Sequence, residues 1–433
     1  MNARLFLVGF VLLMLPVRAI AAVTPNAVTD WAAIVQQAIH NPPAAPRSAG
    51  TSEILHAMVM LAVYDAAVAV EGGFQPYVAE IRRLPYADVR AAVATAAYRT
   101  ARARVASSQV AYLDQQYATY LAGIGESLGK AEGIRVGEAA AQAVLTLRAN
   151  DGFDAVLPYE CSGPQVAPGE FEPDAGCPAG PTSPQPVDVK VGRIRPFAID
   201  STARYRPDGP DPLSSSAFAE DFQETRDYGR VDSVFRSPAQ TDLAYFWSEN
   251  PYVFWNRNLI ALANSQGLRL LETARLFAMA HTAAADAVIV GFDAKYAYAA
   301  WRPRTAIPRA DTDGNPDTEA DPTWRPLLMV NHPEYPSGHG FWSTALTDSV
   351  AAYFGTNKVT WTLSVPKTAV PALNQTEYTY DQLNALMRDV DDARVFGGLH
   401  WRHSMRHGAQ VGRRVSAYVT RNYFAPTDDD RGR

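Results

Sequence analysis

Twelve of the chain's 31 prolines fall between Pro158 and Pro212, together with both cysteines, and this stretch restricts the fold more than any other. Proline has no amide proton and resists helix interiors, so the segment reads as a long surface connection. On its N-terminal side, apolar residues recur at helical spacing: Leu113, Tyr117, Tyr120 and Leu121 form one face, and Val136, Ala140, Ala143, Val144 and Leu147 another. On its C-terminal side the pattern returns with Leu271, Ala274, Ala278 and His281, then from Phe341 to Tyr353 and from Arg406 to Val419. Alternating strand patterns are scarce, and Asn150-Asp151-Gly152 marks a helix end. The expected fold is all-α, with an N-terminal helical region over 22–156, a proline-rich connection over 157–212, a C-terminal helical bundle over 213–425 and a polar tail over 426–433.

The first residues carry an address. Arg4 precedes an apolar run from Leu5 to Leu15 that Pro16 breaks, and Ala19-Ile20-Ala21 offers the small-x-small pattern that a signal peptidase accepts. Residues 1–21 are therefore expected to be a cleaved signal peptide, giving a periplasmic or secreted protein with no stable membrane anchor. Export permits a Cys161–Cys177 disulfide that closes a loop. A formal charge of -6 without long runs of either sign argues against a nucleic-acid partner. Asp311-Thr-Asp313-Gly314-Asn315-Pro-Asp317 has its glycine in the wrong place for a calcium loop and reads as an acidic turn.

Five of the eight histidines lie between His332 and His407, and three groups of residues there and just before have a common use. Lys295 and Arg302 are seven apart, so a helix would put both on one face, with Pro303 ending it. Pro336-Ser337-Gly338-His339 precedes the helical pattern of 341–353 and offers a hydroxyl and an unobstructed amide at a helix N-terminus. Arg394 then precedes His400 with five residues between. Three cations and a loop amide converging on one point make a pocket for an oxyanion, with one histidine bonding its central atom and the other moving protons.

In this order the three groups resemble the signature of the superfamily uniting type 2 phosphatidic acid phosphatases, bacterial nonspecific acid phosphatases and vanadium-dependent haloperoxidases. Within it the chain is similar to the exported bacterial branch related to the haloperoxidases. That likeness extends to Met58–Asp65 with Ala66, to 137–152, to Phe254-Trp255-Asn256 and to Ala285-Asp286-Ala287. The resemblance implies helical bundles in which vanadate is held by Lys295, Arg302, Ser337, Gly338 and Arg394 and bonded to His400, with His339 opposite. It implies an enzyme that oxidises halide with hydrogen peroxide to hypohalous acid, acting on halide or a small organic substrate. His332 stands five residues before Ser337, where algal bromoperoxidases also carry histidine, which leans towards bromide; as part of an ordinary His-Pro loop it reads equally well as solvated.

The alternative is an exported acid phosphatase using the same residues for phosphate, with His400 as nucleophile and His339 as acid and then base. Two positions depart from the usual pattern: Ala393 stands where many members have Ser, and Ser404 where they have Asp. An aspartate there would orient the imidazole of His400. Asp286, Asp391 and Asp392 are the candidate replacements, and without one His400 is a poorer phosphoryl nucleophile. His403 and His407 read as surface residues, and Phe246, Trp247, Tyr252, Phe254 and Trp255 as packing or pocket wall.

Overall fold

The computed structural model describes residues 26–40, 47–78, 81–163, 166–177 and 185–427. The expected leader, residues 1–21, lies outside them, as does most of the expected tail. Five helices come first: α1 (Ala27–His40), α2 (Ala49–Glu71), α3 (Val89–Arg102), α4 (Val110–Ala122) and α5 (Leu128–Leu147). Then come α6 (Ser216–Gly229), α7 (Pro238–Phe246), α8 (Pro251–Ser265), α9 (Leu270–Tyr298), α10 (Pro303–Ala306), α11 (Gly338–Phe354), α12 (Leu383–Phe396) and α13 (Arg402–Asn422). A small antiparallel pair, β1 (Trp361–Ser364) with β2 (Glu377–Tyr380), is the only sheet among the described residues.

Two helices organise the rest. Almost every residue of α2 is buried, as is most of α9, because a helix apolar on all sides has to be surrounded. Both are long and apolar enough to cross a membrane, yet in this structure other helices enclose them. α2 packs against α3, α5 and α9, and α9 in turn against α11 and α13. Between α2, α8 and α9 lies a buried polar cluster: His281 Nδ1 meets Glu53 Oε1 at 2.8 Å, and the Tyr252 hydroxyl meets His56 Nδ1 at 3.0 Å. The aromatic group beside it, including Phe246, Trp247, Tyr252, Phe254 and Trp255, is core.

Among its described residues the proline-dense connection has one short 3-10 turn, Val191–Arg193, so its amides need other acceptors. Asp286 of α9 accepts from the amides of Phe197, Ala198 and Ile199 at 2.6, 2.8 and 3.0 Å. Arg148 ties the same stretch down through the Arg195 and Pro196 carbonyls, at 2.5 and 2.9 Å. Cys161 and Cys177 are bridged.

Close helix crossing sets the site. A Cβ on Gly408 of α13 would come within 2.7 Å of the Ser337 carbonyl, so glycine is required where α13 passes the start of α11. Gly291 of α9 has the same role against the ring of Phe341.

Candidate oxyanion site

Lys295 sits in the last turn of α9, which ends where Ala299 takes a left-handed conformation (φ 43°). Arg302 lies beyond that end and caps α10, whose first residue is Pro303. The expectation of one helix carrying both cations is therefore corrected: a left-handed turn separates them, and both fold onto the 331–337 loop. Lys295 Nζ donates to the carbonyls of Pro333 and Glu334 at 2.9 and 3.0 Å. Arg302 donates through Nε to the His332 carbonyl at 2.6 Å and through Nη1 to the Leu399 carbonyl at 2.7 Å. Its Nη2 reaches His332 Nδ1 at 2.9 Å. The same nitrogen also lies 3.1 Å from the Pro333 carbonyl, so Nδ1 stands between a donor and an acceptor. His332 is half-buried at the site, which replaces the reading of a solvated loop residue.

Ser337 is the N-cap of α11, its hydroxyl accepting from the Gly340 amide at 3.4 Å, and Gly338 is the first helical residue. The first amides of a helix have no partner within it and face outward with the positive end of the helix dipole. A Cβ on Gly338 would meet nothing nearer than 3.9 Å, so protein packing leaves the space beside this residue open. Arg394, in the last turn of α12, donates from Nη1 to the Trp247 carbonyl at 2.7 Å, while its buried Nε has no partner among the described residues. The same carbonyl faces His339.

His400 Nδ1 lies 2.7 Å from Glu334 Oε1, which also accepts from the Trp401 amide at 3.2 Å. Burial raises the Glu334 carboxyl against the pull of His403, Arg302 and Lys295; in its ionised form it only accepts, so Nδ1 then carries the proton and the Nε2 lone pair is left for a ligand. Asp286, Asp391 and Asp392 do not fill this position. Asp286 is committed to the connection, Asp392 pairs with Arg402 at 2.6 Å, and Asp391 lies by Arg402 and Arg413. The Ser404 hydroxyl faces Glu334. Glu334 was not among the candidates read from the sequence, Asp286, Asp391 and Asp392; its signal there is an acidic residue three positions before Ser337. His403 is also corrected: it is buried, with Nδ1 2.7 Å from Asp221 Oδ2. His407 is half-buried and bonds the Tyr335 hydroxyl at 2.7 Å.

Three cations share this interior. Lys295 is 0 %, Arg302 2 % and Arg394 4 % exposed. Burial, together with repulsion from Arg302 and Arg394, lowers the Lys295 ammonium well below its ordinary range. Burial pushes Arg302 down to about 9 and Arg394 likewise to about 9. Burial and the neighbouring cations also lower His332, His339 and His400 well below 6.5, so all three imidazoles are neutral at neutral pH. Glu334 is the single carboxylate that bonds within this group. A buried excess of positive charge, an orphaned guanidinium Nε and open helix amides fit a tetrahedral oxyanion such as vanadate or phosphate.

Residues 275–428, which carry all these side chains, match the family described as the VCPO second helical-bundle domain. Vanadium chloroperoxidase of Curvularia inaequalis is 29% identical over 188 residues, an alignment covering 37% of this chain and 29% of that protein. The matched stretch thus spans less than a third of the curated relative. A bacterial vanadium-dependent iodoperoxidase structure superposes with a TM-score of 0.74 at 20% identity, covering 93% of this chain and 97% of the other. The holo form of a bacterial vanadium-dependent chloroperoxidase gives a TM-score of 0.72 at 18% identity, with 92% and 97% coverage. The chain thus has the fold of these bacterial vanadium-dependent haloperoxidase structures, and its residues 275–428 match the VCPO second helical-bundle domain.

Proposed function

We propose that the protein is an exported, vanadate-dependent haloperoxidase that oxidises halide with hydrogen peroxide to hypohalous acid. The observation that carries this reading is the buried triad of cations around the α11 N-terminus, facing a histidine whose Nδ1 is held by Glu334. Lys295, Arg302, Arg394, Ser337 and Gly338 would hold vanadate's oxygens, and His400 Nε2 would bond the metal. When bound, vanadate would supply a Lewis-acid centre that activates peroxide for attack by halide without a change of oxidation state. Lys295 gives two of its three protons to carbonyls and keeps one for a ligand oxygen. His339, neutral and next to the pocket, takes and returns protons. His332 stands beside Arg302 at the bromoperoxidase-like position, and on it rests the choice of bromide.

One observation favours a second reading. With Ser404 in place of an aspartate, His400 by itself is a poor phosphoryl nucleophile, which argues against phosphomonoester hydrolysis. Glu334 removes that objection: a carboxylate on Nδ1 makes Nε2 more basic, which suits a phosphohistidine intermediate equally well. The deciding experiment is to strip the protein with chelator, reload it with orthovanadate or phosphate, and measure peroxide-dependent bromination beside phosphomonoester hydrolysis. Bromination that depends on vanadate supports the first reading. Robust hydrolysis by vanadate-free protein, with no bromination after loading, replaces it by the second.

A further inference from the structure

A separate cavity of about 240 Å3 shares only Glu334 with the oxyanion site; neither His400 nor any of the three cations lines it. Its walls are apolar and aromatic, with Leu213, Phe218, Trp301 and Trp401, and its polar groups are Asp211, Glu334 and His403. Three of these residues carry buried polar atoms with no partner among the described residues: Glu334 Oε2, His403 Nε2 and Trp301 Nε1. The residues are 0 %, 1 % and 2 % exposed. Buried groups are rarely left unanswered, and three around one cavity point to an occupant.

The chemistry of the three atoms says which kind. Glu334 Oε2 is an acceptor, with the Ser404 hydroxyl as its neighbour on the protein side and room for a second donor. The indole Nε1–H of Trp301 needs an acceptor. His403 gives its Nδ1 proton to Asp221 at 2.7 Å; burial disfavours its charged form, but the bond to Asp221 and the charges of Glu334, Asp221 and Asp211 outweigh it, so its Nε2 is a second donor. A hydroxyl offers one donor and two acceptor lone pairs, the complement of this set. The surrounding rings favour an aromatic body. The cavity is smaller than the roughly 300–1,000 Å3 usual for larger ligands, so it takes one ring. We propose that this cavity is a second ligand site, for a single-ring phenol whose hydroxyl pairs with Glu334, His403 and Trp301. The bound phenol touches the same carboxylate that holds His400, so it lies behind the oxyanion site rather than in it.

The test uses vanadate-free protein, so that its outcome is independent of which reaction the enzyme performs. p-Cresol is titrated against the full chain by calorimetry and by indole fluorescence, with toluene as the control that lacks only the hydroxyl. Saturable p-cresol binding, at least about tenfold tighter than toluene, is expected, since a hydrogen bond to a charged group accounts for that factor. Trp301→Phe keeps a ring and removes one donor, and should weaken p-cresol several-fold while leaving toluene unchanged. Leu213→Trp fills the space and should abolish binding. Equal affinity for p-cresol and toluene, no saturation by either, or a crystal soaked in p-cresol that holds only waters at the three atoms would each overturn the proposal. The wild-type comparison stands even if a variant fails to fold.

Discussion

Glu334 Oε1 lies 2.7 Å from His400 Nδ1, and the two residues come from loops 66 positions apart in the chain. The loops are clamped together by Arg302, which donates to the His332 carbonyl on one and the Leu399 carbonyl on the other. One cation thus positions the carboxylate, the imidazole and itself. This contact gives a loop glutamate the task of orienting the imidazole.

Glu334→Gln should therefore weaken vanadate binding by about 10- to 100-fold, the usual consequence of removing the group that orients a ligand histidine. Calorimetric titration with orthovanadate measures it directly. Glu334→Ala combined with Ser404→Asp should recover part of the loss, because the carboxylate would return from the helix side. Unchanged affinity in Glu334→Gln would separate the contact from oxyanion binding.

His400→Ala should abolish turnover of either kind while leaving weakened oxyanion binding through Lys295, Arg302 and Arg394. Steady-state bromination and phosphatase assays, read beside a vanadate titration, check both halves. Near wild-type turnover would refute the assignment of His400.

Arg302→Ala and Arg394→Ala should each lower vanadate or phosphate affinity by about 10- to 1,000-fold, from the roughly 1.5–3 kcal/mol of a charge-assisted hydrogen bond. They should differ in stability. Arg302 holds carbonyls on two loops, whereas Arg394 holds only that of Trp247. Thermal unfolding without oxyanion should show the larger fall in Tm for Arg302→Ala.

The buried His56 should make stability depend on pH with a definite sign. Burial, with repulsion from His281 second, lowers its pKa well below 6.5 in the folded chain. Above pH 6.5 the ring is neutral in both states; below it the unfolded chain binds a proton that the folded chain refuses, so stability falls with pH. The destabilisation caused by His56→Gln should accordingly be largest near pH 7.5 and shrink as pH drops towards 5. Urea unfolding of both proteins across that range gives the difference, and a penalty independent of pH would contradict the argument.

Replacing Cys161 and Cys177 by serine removes a bridge between residues 16 apart in sequence. A loop of that length corresponds to about 3 kcal/mol in the chain-entropy account. The unfolding free energy from denaturant titration should fall by no more than that amount, and vanadate affinity should stay unchanged, since no described residue of this loop bonds Lys295, Arg302 or Arg394.

Much of the architecture was legible as sequence because it is written in local periodicity. The faces from Leu113 to Leu121 and from Val136 to Leu147 fall within α4 and α5, and Ser337 opens α11 where a small polar residue before an apolar helix should. The residue types of the candidate site were legible too, since buried cations and histidines at set spacing have few other uses. What periodicity could not supply was direction. α2 is apolar on every side and has no stripe to read, so its central place follows only from the helices around it. Whether Lys295 and Arg302 shared a helix turned on one left-handed residue, Ala299. The partner of His400 turned on which carboxylate the loops brought within hydrogen-bond reach, and Glu334 is distant in sequence. Local pattern determined the helices and the chemical inventory; the tertiary structure alone decided which groups meet, because hydrogen bonds and charge pairing act over a few ångströms between residues that the chain order keeps far apart.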